Sequence, residues 1–180
     1  FVVTLASVAG VNAATLTLGP RSVQEVVVKS VFTDQGGWSL LSGVCFARLD
    51  SPRTSLAQGP VVVEAHLSAQ LGAPMSGSCV GSAFDSKVVV SGKLVGAGTT
   101  LTLTDIRSDR VDDEATRSAV ELLQSVAPTS LPPFDLLAAI RAQKPKVDDL
   151  PIDVDKLHID EVTTTDTAVT VRFDFSLRGP

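Results

Sequence analysis

From Val63 to Leu71 apolar and polar residues alternate without a break. Val63, Ala65, Leu67, Ala69 and Leu71 fall on one side, and Glu64, His66, Ser68 and Gln70 on the other. A period of two fits an extended strand, whose successive side chains point to opposite faces, and it fits no helix. One dry face and one wet face select an antiparallel sheet, because parallel strands are usually covered on both sides. The rest of the chain must then supply partner strands and a cover for the dry face. Looser alternation recurs at Phe84, Val88, Val90 and Leu94, opposite Asp85, Lys87 and Lys93, and again at Leu101 and Leu103 among Thr100, Thr102 and Thr104. Gly96-Ala97-Gly98 between these runs is a turn signal, so the two are expected to form a hairpin. Trp38 to Leu49 reads as a further strand. Leu157 and Ile159 mark another, and Val169, Val171, Phe173, Phe175 and Leu177 the last, with a turn at Thr163 to Thr167.

Helical spacing occurs in three places. Val23, Val26, Val27 and Val31 follow Gly19-Pro20 and predict a helix over 21–32, ended by Asp34-Gln35-Gly36-Gly37. Valine is stiff at χ1 and a modest helix former, which leaves a strand as the alternative there. Asp112, Asp113 and Glu114 open a second helix, where carboxylates favour the N-terminal end of the dipole. Its apolar face is Ala115, Ala119, Leu122, Leu123 and Val126, and Pro128 stops it. After the linker Thr129 to Pro133, a third helix is expected from Phe134 to Gln143 on Leu136, Leu137 and Ile140, ending at Pro145. Lys144 to Pro151 reads as a polar loop. Segregated runs of this kind (helix, four strands, two helices, two strands) argue an α+β fold. The 180 residues fit one domain.

The first residues, Phe1 to Ala14, are apolar and end on small residues, with Val11 and Ala13 in the small-x-small positions. They read as the end of a secretory signal peptide covering residues 1–13, truncated at its start, with the domain over 14–180. A buried first strand or helix is the alternative. Cys45 and Cys79 are the two cysteines, and in an exported protein an even pair predicts a disulfide, against two buried free thiols. No cysteine stands at the cleavage site for a lipid anchor. A periplasmic or secreted protein, soluble after cleavage, is the expectation. No segment is long and apolar enough to be transmembrane. The net charge is −5 and the basic residues are scattered, which disfavours nucleic acid and anionic lipid surfaces as partners.

The chemistry-bearing residues are sparse. There is no Gly-x-Gly-x-x-Gly, P-loop, His-Glu-x-x-His or Gly-x-Ser-x-Gly pattern. His66 falls on the polar face of its strand and His158 in the last hairpin, where solvated residues are the common case. The cysteines have no metal-ligand spacing with either histidine. The aspartates at 148, 149, 153, 155 and 160 match no calcium loop and read as a solvated acidic stretch. Ser42 and Ser78 have no base beside them in sequence. A protein that is not an enzyme, without cofactor or metal, is therefore expected. What remains is the aliphatic side. A helix presenting valines to a sheet of Val, Ala and Leu either packs solidly or leaves a dry channel for an alkyl chain.

Leu16-Thr-Leu-Gly-Pro-Arg-Ser-Val23 running into a helix, the strand Val61 to Leu71, the pair Val88 to Leu94 and Thr100 to Ile106, the helix Asp113 to Val126 and the strand Ala168 to Leu177 together resemble the tubular lipid-binding (TULIP) superfamily, and its small periplasmic lipoprotein families most. The resemblance covers roughly Leu16 to Leu177 and lies in element order, not in an invariant motif. It departs from those families in lacking an anchor cysteine and in carrying Cys45 and Cys79. It implies a curved antiparallel sheet wrapped around a long N-terminal helix, with two further helices before a C-terminal hairpin, and a groove for a lipid or other hydrophobic molecule. The expected lining is Val23, Val27, Val31, Val63, Ala65, Leu67, Val88, Val90, Leu101, Leu103, Val171 and Phe173. The alternative is a fully packed envelope scaffold that binds a protein partner through a sheet edge or the 144–151 loop. A hydrolase built on His66 or His158 is a third reading.

Overall fold

The computed structural model describes residues 2–8, 11–111, 114–126, 133–142, 146–147, 150–151 and 154–177. Two antiparallel strands come first, β1 (Val2–Val8) and β2 (Val11–Leu18). Helix α1 (Pro20–Ser30) follows, with proline in its first turn, where the missing N–H is not needed. A meander then runs through β3 (Gly37–Leu41), β4 (Phe46–Leu56), β5 (Pro60–Met75), β6 (Ser78–Ala97) and β7 (Thr100–Val111). After α2 (Glu114–Val126), the two-residue strand β8 (Phe134–Asp135) pairs with the start of β7, and α3 (Leu136–Ala142) follows directly. A minimal pair, β9 (Lys146–Val147) and β10 (Leu150–Pro151), leads to the final hairpin of β11 (Val154–Thr164) and β12 (Val169–Leu177).

The strands form a six-stranded antiparallel sheet, β3-β4-β5-β6-β7-β8, and a four-stranded one, β1-β2-β12-β11. In the first, β5 is central and shows the alternation read from its sequence. Val61, Val63, Ala65, Leu67 and Ala69 are buried, and the residues between them are half-exposed. In the second, β2 lies between β1 and β12. The pairing of Ala14–Leu18 with Val169–Phe173 falls wholly within residues 14–180, so a chain starting at Ala14 keeps that ladder. The segment read as a signal peptide is otherwise extended, as β1 and the first residues of β2.

The two sheets meet at the β6–β7 and β4–β5 turns. Ile159 donates its N–H to the Gly98 carbonyl (2.9 Å) and Gly59 donates to the Thr164 carbonyl (3.0 Å). Gly96 sits under this crossing, where an added Cβ would lie 2.3 Å from Ile159 Cγ2. Leu16, Leu18, Ile159, Val169, Val171 and Phe173 from one sheet join Val61, Val63, Leu67, Val88, Leu101 and Leu103 from the other in one buried cluster.

This arrangement corrects the fold expected from the sequence. There is no long N-terminal helix for a sheet to wrap. α1 has 11 residues, about 16 Å of helix at 1.5 Å per residue, whereas β6 alone has 20 residues. Among the described residues the chain is mostly strand, in a curled antiparallel sheet with three short helices, and not a helix-centred α+β domain. The physical reason lies at both ends of α1. Gly19 offers no side-chain cap, and after Val31 the left-handed residues Gln35 and Gly36 turn the chain straight into β3. The core is therefore closed by strands, with α1 laid over it as a cover.

Smaller differences have local causes. The expected strand Trp38 to Leu49 is two strands, reversed at 42–45, where Gly43 has φ of 127°. Phe134 and Asp135 are extended and do not start the third helix, because Asp135 caps it instead. Its carboxylate accepts from the Ala138 N–H at 3.0 Å. The expected features at Asp112, Asp113, Pro128, 129–132, 143–145, Asp148, Asp149 and Asp153 lie outside the described residues.

Candidate functional site

Gln24 hydrogen-bonds α1 to the sheet. β4 bulges between Asp50 and Arg53, with Ser51 in the left-handed region at φ 52°, so its ladder to β5 is interrupted. Gln24 fills the gap as a strand would. Its Nε2 donates to the Pro52 carbonyl (2.9 Å), and its Oε1 accepts from the Thr54 N–H. Val23 and Val27, at i and i+4, then face the interior.

Beside this anchor lies a partly open apolar cleft of about 40 Å³. α1 and the residue that follows it contribute Val23, Val26, Val27, Ser30 and Val31. Leu18 comes from β2, Val61 from β5, Leu94 from β6, Leu101 and Leu103 from β7, and Phe134 from β8. Ser30 brings the only side-chain hydroxyl and no charged residue is present. Five of the residues expected to line a groove are thus together: Val23, Val27, Val31, Leu101 and Leu103. Val63, Ala65, Leu67, Val88, Val171 and Phe173 are buried in the core cluster and do not border the cleft, and Val90 is half-buried beside that cluster. Leu18, Val26, Val61, Leu94 and Phe134 were not expected. Val26 and Leu94 already stood in the apolar patterns of their elements. Phe134 carried no signal, because its position depends on β8 folding back onto Thr100–Leu101.

The size of the cleft limits what it can hold. A site enclosing a drug-sized ligand has roughly 300–1,000 Å³. About 40 Å³ admits the end of an alkyl group and not a whole acyl chain.

Elsewhere the chemistry is sparse. On the wet face of the sheet His66 stands between two carboxylates, Nε2 at 3.0 Å from Asp85 Oδ1 and Nδ1 at 3.7 Å from Asp50 Oδ1. The hydrogen bond to Asp85, followed by the charges of both aspartates, raises its pKa above 6.5 despite some desolvation. The ring is a cross-strand ion-pair partner. His158 is exposed on β11 opposite Asp174. Ser42 and Ser78 are exposed in and beside turns. Among the described residues no three His, Cys, Asp or Glu side chains group to hold a metal ion, and no helix is long and apolar enough to cross a membrane. Cys45 and Cys79 form a disulfide, Cα to Cα 4.9 Å, tying the β3–β4 turn to the start of β6.

No family model, curated protein or solved structure matches this chain.

Proposed function

We propose that this is a non-catalytic binding module working outside the cytoplasm, which takes the alkyl end of a hydrophobic ligand in the cleft under α1. The observation that carries the reading is the lining of that cleft. It is apolar but for Ser30, and it opens at the seam between α1, the two sheets and β8. An uncharged aliphatic recess gains free energy from any methylene it removes from water, about 0.8 kcal/mol each, and its one hydroxyl, Ser30, has no titratable side chain among the lining residues to activate it. The Cys45–Cys79 disulfide supports an oxidising compartment, periplasmic or secreted, and fits cleavage of a signal peptide before Ala14. The likeness to tubular lipid-binding families supports the reading through the curled sheet alone, since the long helix of that pattern is missing.

Uptake of a fluorescent fatty acid by the purified protein tests this. Leu101→Phe places a ring in the cleft and should abolish uptake while leaving the circular dichroism spectrum unchanged. No uptake by the unaltered protein, or equal uptake by a folded Leu101→Phe variant, would leave the packed-scaffold reading in its place.

A further inference from the structure

One end of the six-stranded sheet differs from the rest of the surface. Leu41, Val44, Phe46, Met75 and Val80 are all exposed there, Met75 and Val80 by 58% each. Strand pairing and the disulfide place them together. Val80 is opposite Ala73, one diagonal step from Met75, and the Cys45–Cys79 bridge ties the turn that carries Val44 to the strand that carries Val80. Leu41 and Phe46 flank the same reversal between β3 and β4. Past Gln70, which pairs with Phe46, β4 no longer covers the edge of β5, so β5 and β6 continue as a projecting hairpin. Gly72 and Gly81 face each other in that arm. A Cβ on Gly72 would lie 2.2 Å from the Val80 carbonyl oxygen, so only glycine allows this approach.

Among the described residues, the chain segments that form this end carry no charge. Neither Gln35 to Ala47 nor Leu67 to Phe84 contains an Asp, Glu, Lys, Arg or His, and charge resumes at Arg48, His66 and Asp85, on neighbouring rungs of the sheet. We propose that this disulfide-stapled tip docks on a lipid bilayer of zwitterionic, electrically neutral headgroups and inserts its apolar side chains at the headgroup boundary.

Three observations favour that occupant. The tip is apolar on both faces. Met75 and Val80 continue the inner side of the sheet, whereas Phe46, opposite Gln70, lies on the outer side. A protein partner would cover one of these faces, and a fluid interface surrounds both. The charges match as well. A tip without charge meets a surface without net charge, while a net charge of −5 repels an anionic one. The geometry also suits shallow insertion of about 5–10 Å. The last residues of each strand reach that depth, and Pro74, on the uncovered stretch of β5, has no N–H to strip of water. This inference does not rest on the cleft. Val61 in the cleft and Met75 at the tip are 14 residues apart on one strand, roughly 45 Å along it at about 3.3 Å per residue.

Co-flotation of the full chain with phosphatidylcholine vesicles tests it, at low and at high salt. The unaltered protein should float with the vesicles equally in both, and Met75→Asp combined with Val80→Asp should reduce the bound fraction at least tenfold. In Met75→Trp, emission above the Trp38 background should shift to the blue on adding the same vesicles, which decides the matter should the double variant not fold. The proposal is overturned by absence of flotation, by a double variant that floats normally, or by an unshifted Met75→Trp spectrum. Binding confined to phosphatidylglycerol vesicles and lost in salt also overturns it. So does a lipid-free dimer that the double variant abolishes, which would give the patch to a second copy of the chain.

Discussion

Gln24 does for α1 what a neighbouring strand does for a sheet. Its amide supplies the donor and the acceptor that the bulge in β4 leaves unmatched, at Pro52 and Thr54. Gln24→Ala strands both backbone groups in a half-buried place, which costs about 1–3 kcal/mol. Urea denaturation should show a lower midpoint with an unchanged slope, and a loss within experimental error would mean that α1 is held by its valines alone. His66 offers a second test. Its pKa is raised by Asp85 and Asp50, so the folded state binds the proton more tightly than the unfolded one. The stabilisation is complete below the unfolded value near 6.5 and fades as pH rises through the folded value. The pair is solvent-exposed, so the effect on stability stays below about 1 kcal/mol, and a proton NMR titration is the sharper probe. His66 should titrate above 6.5, and Asp85→Asn should bring it down. Neither partnership was legible in the sequence. Asp50 and Asp85 lie far from His66 along the chain, and Gln24 meets β4 only because of the bulge after Asp50.

The elements themselves were legible to different degrees. Alternation located β5, and the hairpin of β6 and β7 followed from its glycine turn, because a period of two with one wet face has a single structural solution. The ends were harder to read. β5, β6 and β7 run beyond their alternating cores, since backbone pairing continues wherever a partner strand is present, whatever the side chains. Valine spacing marked α1 correctly, but it could not show that a helix of 11 residues would serve as a lid and not as an axis. That role depends on β2 finding β12 across most of the chain, and no local pattern carries such a pairing. Of the expected groove, the α1 and β7 members assembled because those elements meet at the seam. Val63, Ala65, Leu67 and Val88 went into the core because they sit further along β5 and β6. The disulfide belongs to this scale too. It closes a loop with a sequence separation of 34 residues, and by loop entropy it stabilises the fold by about 3–4 kcal/mol. Replacing both cysteines with alanine should lower Tm by roughly 6–16 °C. Scanning calorimetry checks this, and an unchanged Tm would show that the unfolded chain gains no freedom from the cut.

At the scale of the molecule, the two sheets share one buried apolar cluster among the described residues. Val169 and Val171 are fully inaccessible, and Val61, Leu67 and Val88 nearly so. The proposed function lies at the seam where α1 rests over Val61, Leu94, Leu101 and Leu103. The most direct measurement is a methyl NMR titration of the valine- and leucine-labelled protein with a short fatty acid such as hexanoate. Saturable shifts are expected at Val23, Val27, Leu101 and Leu103, with Val63, Val169 and Val171 unmoved. Shifts spread evenly over both groups, or none at the seam at millimolar ligand, would contradict the proposed function.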